Sequence, residues 1–278
     1  MTQFPHSEFR NIEDITLSEE LVSDFCVLED RLRLECRLNI TMKNNYLIVM
    51  PNGAVDRKKN QIPAFARWNW HTVFNSNVLS ISDPALYSDE NLPIGWFAGT
   101  KDLDITSFVA NVVVKVALLL KIPPNRIVFW NSSAGGYASI LLASKIDGAN
   151  FVCINGQTEI IKYYSGHIEA FRKVFDSTSE ADTLSLSFPE QWSAINALEN
   201  SYKKGKVTNG VVIQNIIDKM HYEKHYIPFC NHFNLPIEGG SNKNLHSILY
   251  SHDKGHGPEP VSLSKEVIRD YLPKLFSN

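Results

Sequence analysis

The stretch from Arg126 to Ala143, RIVFWNSSAGGYASILLA, constrains the fold more tightly than any other part of the chain. Ile127 to Trp130 form an apolar run without polar alternation, the pattern of a short strand buried on both faces. Asn131 to Gly136 follow at once, and from Tyr137 the spacing turns helical, with Ile140, Leu141 and Ser144 three and four residues apart. A strand that passes into a helix through NSSAGG has room only for a tight turn. A serine in such a turn, followed two residues later by glycine, has the arrangement of a nucleophile elbow. The turn lifts the hydroxyl above the sheet and aims backbone N–H groups at a developing oxyanion, while glycine lets strand and helix pass closely. Ser133, two residues before Gly135, is therefore the candidate nucleophile, and Ser132 the less well spaced one. Where such turns commonly carry a first glycine this chain has Asn131, a small residue that tolerates unusual dihedrals.

The rest of the chain supplies a sheet for this turn to sit on. Residues 20–42 alternate, most clearly at Leu32, Leu34, Cys36, Leu38 and Ile40, which predicts an antiparallel pair at a sheet edge with one solvated face. Tyr46 to Met50 and Val78 to Ile81 read as buried strands. Asp104 is placed to cap a helix from Ile105 to Leu120, ended by Pro123 and Pro124. Phe151 to Ile154, Val211 to Ile217 and Leu245 to Tyr250 are the remaining strands, and Val261 to Phe276 a closing amphipathic helix. Strands alternating with helices at this spacing predict a mostly parallel sheet in one α/β domain spanning 1–278. Residues 157–206 carry no strand signal and predict a helical lid or insertion, with Pro189 opening a helix that runs to about Glu199.

Composition excludes several classes. The 278 residues are 44% apolar and 21% charged, ordinary for a globular protein. A net charge of −3 gives no reason to expect nucleic acid or an anionic membrane surface as partner. Cys26, Cys36, Cys153 and Cys230 are scattered without CxxC pairs, which predicts buried thiols in a reducing compartment. MTQFPHSEFRN has neither a basic nor an apolar signal region, and the apolar stretch Phe108 to Ile122 is broken by Asn111, Lys115 and Lys121. The expectation is a cytoplasmic protein without a membrane span.

A serine nucleophile needs a base, and the base an orienting carboxylate. In elbow proteins the chain order is serine, acid, histidine, each at a strand's C-terminal end. Ser133 ends one strand, Asp218 the penultimate one, and His252 or His256 follows the last. His256, flanked by Gly255, Gly257 and Pro258 in a tight loop, is the better placed base. A rival constellation, Asp218, His221 and His225, could hold zinc, but HYEKH matches neither the HExxH nor the HxxEH arrangement, so no metal is expected. The oxyanion donors would be the N–H of Ala134 and one from Gly53 or Ala54, in the turn after the Tyr46–Met50 strand. Arg67, Trp68 and Trp96, with Trp70 and Phe97 nearby, sit in irregular loops, where they either complete the core or line a pocket mouth and bind substrate.

The N-S-S-A-G-G elbow, the QNIID strand end with H-x3-H and P-F beyond it, and the terminal GHGP resemble α/β-hydrolase-type proteins of bacterial surface-glycan loci. These are capsule polysaccharide O-acetyltransferases and hydrolase-like proteins of the accessory secretion system. The resemblance covers roughly residues 46 to 275. It implies an α/β-hydrolase fold in which Ser133, Asp218 and His256 form a triad. It also implies acyl transfer to, or ester removal from, a capsular or surface polysaccharide, with acetyl-CoA as a donor and no tightly bound cofactor. A non-catalytic glycan-binding or assembly component that keeps the fold is the alternative.

Overall fold

The computed structural model describes residues 4–41 and 43–277; the N-terminal reading above therefore falls partly outside the described residues. Ten strands form one sheet: β1 (His6–Phe9), β2 (Val22–Glu29), β3 (Leu32–Asn39), β4 (Leu47–Pro51), β5 (Asn77–Ser82), β6 (Ile127–Ser132), β7 (Asn150–Ile154), β8 (Asn209–Asn215), β9 (Gly240–Asn242) and β10 (Leu245–Tyr250). Their order is β1-β2-β3-β5-β4-β6-β7-β8-β10-β9. The run from β5 to β10 is parallel throughout. An antiparallel section, β2 against β3 and β3 against β5, closes one side, and the short β9 runs antiparallel to β10 on the other. No helix among the described residues is long and apolar enough to cross a membrane.

The continuous apolar runs are central strands because both faces are covered. Along β6, Ile127 and Phe129 enter one core while Val128 and Trp130 enter the other. The first core takes in the helices Ile105–Leu119 and Ala134–Ala143, and the second takes in Val267, Leu272 and Leu275 near the C-terminus. Asp104 caps the first of these helices through Ser107 N, as its position predicted.

Several expected boundaries move. The strand read to Ile217 stops at Asn215; Ile216 and Ile217 are half exposed, so Asp218 caps the next helix and does not end a strand. The helix from Pro189 breaks at Ser193, whose hydroxyl accepts from Asn196 N and starts a new helix, Ala194–Lys203. The C-terminal helix divides at Tyr271, before Leu272–Leu275. The polar face of β3 is not simply solvated: Glu35 is buried and pairs with Arg33, and Arg37 binds Asp24 through two hydrogen bonds of 2.6 and 2.7 Å. The helical segment 157–206 packs into the main core. Phe171, Phe175 and Trp192 pack with Trp96 and Phe188 in a chain of ring contacts between 5.2 and 5.6 Å.

Candidate active site

Six parallel strands bring their C-terminal ends to one edge, and the loops leaving β4, β6, β7, β8 and β10 meet there. Ser133, immediately after β6, has φ 57° and ψ −128°, a conformation that costs a non-glycine residue about 1–3 kcal/mol. The elbow is held by its surroundings: Ser133 N donates to Ile154 O at 3.0 Å, and its carbonyl accepts from Gly136 and Tyr137 at 3.0 and 3.1 Å. A Cβ on Gly135 would come 2.8 Å from both Asn131 Cβ and Pro51 O, so glycine is required where strand and helix cross. Asn131 turns out to be a tie across this crossing. Its amide donates to Pro51 O at 2.5 Å and its carbonyl accepts from Ser132 N at 2.8 Å, joining the ends of β4 and β6.

The predicted serine, histidine and acid come together. Ser133 Oγ lies 3.0 Å from His256 Nε2, and His256 Nδ1 lies 2.6 Å from Asp218 Oδ2. Asn215, at the end of β8, positions the histidine loop: its amide donates to His252 O and Gly255 O at 2.7 and 2.8 Å. His252 itself points elsewhere, its Nδ1 accepting from Lys254 N at 3.3 Å. Burial alone would raise the Asp218 carboxyl, but hydrogen bonds from His221 and His256 outweigh it and hold it well below the usual carboxylate range.

Two residues that sequence reasoning did not assign to this chemistry complete the site. His221 Nδ1 lies 3.0 Å from Asp218 Oδ1, and its ring stacks on His256 at 3.9 Å between centroids and 5° between planes. Burial and the neighbouring His256 lower its pKa against the pull of Asp218. Gln157, buried in the loop after β7, donates from Nε2 to Ser133 Oγ at 3.1 Å and lies 3.3 Å from His221 Nε2. A lone glutamine after a strand gives no sequence signal. His221 did, three residues after a helix-capping aspartate, but as a zinc ligand.

The zinc arrangement does not form as spelled. His225 sits 5.4 Å from His221 between centroids, yet its Nδ1 accepts from Thr158 N at 3.2 Å. Donor atoms of Asp218, His221 and His256 lie within 4.8 Å of one another. Each imidazole, however, faces Asp218 with its Nδ1, and the Nε2 atoms meet Ser133 Oγ and Gln157 Nε2.

Gly53 lies against the elbow, where a Cβ would be 3.6 Å from Gly135 N and 3.8 Å from Ser132 O. Gly53 and Ala54 lie between Asn52, whose N–H goes to Ile81 O, and Val55, whose N–H goes to Pro93 O. Ala134 heads the helix, where an N–H has no carbonyl four residues back to bond. The residues expected to bind a sugar fare differently. Trp96 is 1% exposed and offers no free face; its indole donates to Gln157 Oε1 at 2.7 Å. Trp68 is 37% exposed, meets Phe4 edge to face and carries the Arg37 guanidinium over its ring. Arg67 does reach the elbow, donating to Ser132 Oγ at 3.2 Å, but its guanidinium is committed to the buried Glu259 and stacks on Trp70. The loop of Trp96 and Phe97, both at positive φ, is held by Asp83, which accepts from Phe97 N and Ala85 N at 2.9 Å each.

The fold has solved counterparts. The capsule O-acetyltransferase of Neisseria meningitidis serogroup A superposes with a TM-score of 0.61 at 15% identity, covering 89% of this chain and 95% of that one. The fold is that of the α/β-hydrolases. A variant of the same acetyltransferase solved with CoA gives 0.61 at 13% identity, over 85% and 91% of the two chains. A glycosylation associate protein complex from Streptococcus agalactiae gives 0.59 at 10% identity, over 89% of this chain and 45% of that one. Acetyl xylan esterase 1 from a Thermoanaerobacterium species gives 0.58 at 11% identity, over 95% and 86%. No protein-family model and no curated protein matches the sequence.

Proposed function

We propose that the protein is a serine acyltransferase of carbohydrates, moving an acetyl group through Ser133 to a sugar hydroxyl of a capsular or surface polysaccharide. The observation that carries this is the contact series Ser133 Oγ to His256 Nε2 at 3.0 Å and His256 Nδ1 to Asp218 at 2.6 Å, on a serine held in a strained turn. Ser133 Oγ attacks the acyl carbonyl while its proton passes to His256 Nε2. The C–S bond of a thioester donor then breaks, and the thiol leaves with that proton. In the second half a sugar hydroxyl gives its proton to His256 and takes the acyl group, and Ser133 Oγ recovers the proton as it leaves. Asp218 stabilises the imidazolium in both halves. The N–H of Ala134, with that of Gly53 or Ala54, would receive the oxyanion.

Acetyl-CoA as donor and a capsular glycan as acceptor are supported by the similarity to a capsule O-acetyltransferase and to its variant in complex with CoA. Water in place of the sugar gives an esterase with the same residues of this chain, and one similar structure is an acetyl xylan esterase. The four free, buried cysteines support a reducing, cytoplasmic setting. The test is labelling by a fluorophosphonate probe, followed by turnover of acetyl-CoA and aryl acetates with and without candidate glycans. Labelling together with glycan-accelerated turnover is the expected result. A chain that neither labels nor turns over is an assembly component that has kept the fold.

A further inference from the structure

Two groups in this site have no choice of hydrogen-bonding role: an indole N–H only donates, and an ionised carboxylate only accepts. Trp96 Nε1 lies 2.7 Å from Gln157 Oε1, which fixes that atom as the carbonyl and turns the amide NH2 the other way. The NH2 then faces two acceptors, Ser133 Oγ at 3.1 Å and His221 Nε2 at 3.3 Å, one for each hydrogen. From the opposite end, the two oxygens of Asp218 take Nδ1–H of His256 at 2.6 Å and Nδ1–H of His221 at 3.0 Å. Both imidazoles are thereby set in the same tautomer, with a lone pair on Nε2. His256 turns its lone pair on Ser133, and His221 turns its own on Gln157. Flipping the amide would set NH2 against the indole N–H and oxygen against the lone pair of His221.

We propose that Gln157 is a catalytic residue that aims the proton of Ser133, with Trp96 and His221 as positioning residues that fix the direction of its amide. The inference rests on Ser133 being the nucleophile. Oγ already accepts an N–H from Gln157, so its own proton has one acceptor in reach, His256 Nε2 at 3.0 Å. On attack that proton passes to His256, a bond forms from Oγ to the acyl carbon, and the Gln157 N–H stays on Oγ. On deacylation the same N–H steadies Oγ as it leaves.

A buried glutamine that merely satisfies the core would give similar losses for any substitution, tracking stability. The proposal ranks them by polarity. Gln157→Met keeps length and removes both polar ends. Gln157→Glu keeps shape and the acceptor for Trp96 but offers Ser133 a carboxylate oxygen, which draws the hydroxyl proton away from His256. We expect Gln157→Glu to lower kcat for an aryl acetate roughly 100-fold, at least about tenfold more than Gln157→Met, with KM little changed. Fluorophosphonate labelling should slow in the same order. Trp96→Phe, which keeps a ring and frees the amide to turn, carries the same test if Gln157→Glu does not fold, with an expected kcat loss of about tenfold and the melting temperature measured alongside. Wild-type labelling with Gln157→Glu as fast as wild type overturns this inference and leaves the nucleophile standing. Equal losses in Gln157→Met and Gln157→Glu that follow melting temperature also overturn it. A wild-type chain that does not label overturns both.

Discussion

At the scale of single residues, the strained φ and ψ of Ser133 separate it from Ser132, whose hydroxyl faces Arg67. Ser133→Ala should abolish probe labelling and lower turnover roughly 10⁴-fold or more, whereas Ser132→Ala should remain active in the same assay. His256→Ala should be about as damaging as Ser133→Ala, because the two act as a unit, and His252→Ala should be mild. Arg67 behaves as a structural group. Its side chain is 13% exposed and its partner Glu259 fully buried, so Arg67→Ala strands a buried carboxylate. We expect a loss of roughly 3–5 kcal/mol in denaturant unfolding, with activity on small esters and on glycans falling together. The grouping of Ser133, Asp218 and His256 was legible in the sequence because chain order and loops that follow strands constrain them jointly, although Asp218 caps a helix beyond the end of β8. Gln157 was not, since its role depends on an indole sixty-one positions away in the chain. Trp96 was misread for the same reason: exposure belongs to the assembled core, not to the loop that carries it.

At the scale of elements, the turn from Lys219 to Tyr226 buries two histidines side by side. Burial, aided by the neighbouring His221, pushes His225 from 6.5 down to about 3. The unfolded chain therefore binds a proton there that the folded chain refuses, and stability is lost as pH falls through that range. Asp83 works in the opposite sense. Burial, only partly offset by bonds from Phe97 and Ala85, raises it from 3.8 to about 6, so its contribution stabilises the fold as pH falls through that window. Between about pH 6 and pH 4 the two slopes oppose and largely cancel, so melting temperature should change little from these groups in that window. His225→Gln should then make melting temperature rise as pH falls from about 6 to about 4 and Asp83→Asn should make it drop; an unchanged slope in both variants would contradict these assignments. Element type followed from periodicity, and ends were lost where local side-chain bonds decide them, as at Ser193 and Asp218. The strand His6–Phe9 and the three-residue β9 are too short for a period to register.

At the scale of the whole molecule, a parallel sheet collects loops from five strands at one edge, and the loop after β7 supplies Gln157. The parallel order was legible because continuous apolar runs alternated with helices. Where a ligand would bind was not, since Trp96, chosen for that role, is buried. The central claim is an acyl group carried on Ser133. Its most direct test is to mix the protein with acetyl-CoA or an aryl acetate, quench in acid within the first turnover, and map the adduct by mass spectrometry. A single acetyl group on Ser133, absent from Ser133→Ala and discharged faster by a glycan acceptor than by water, is the predicted result. Turnover without an adduct, or an acetyl group on another residue, would contradict it.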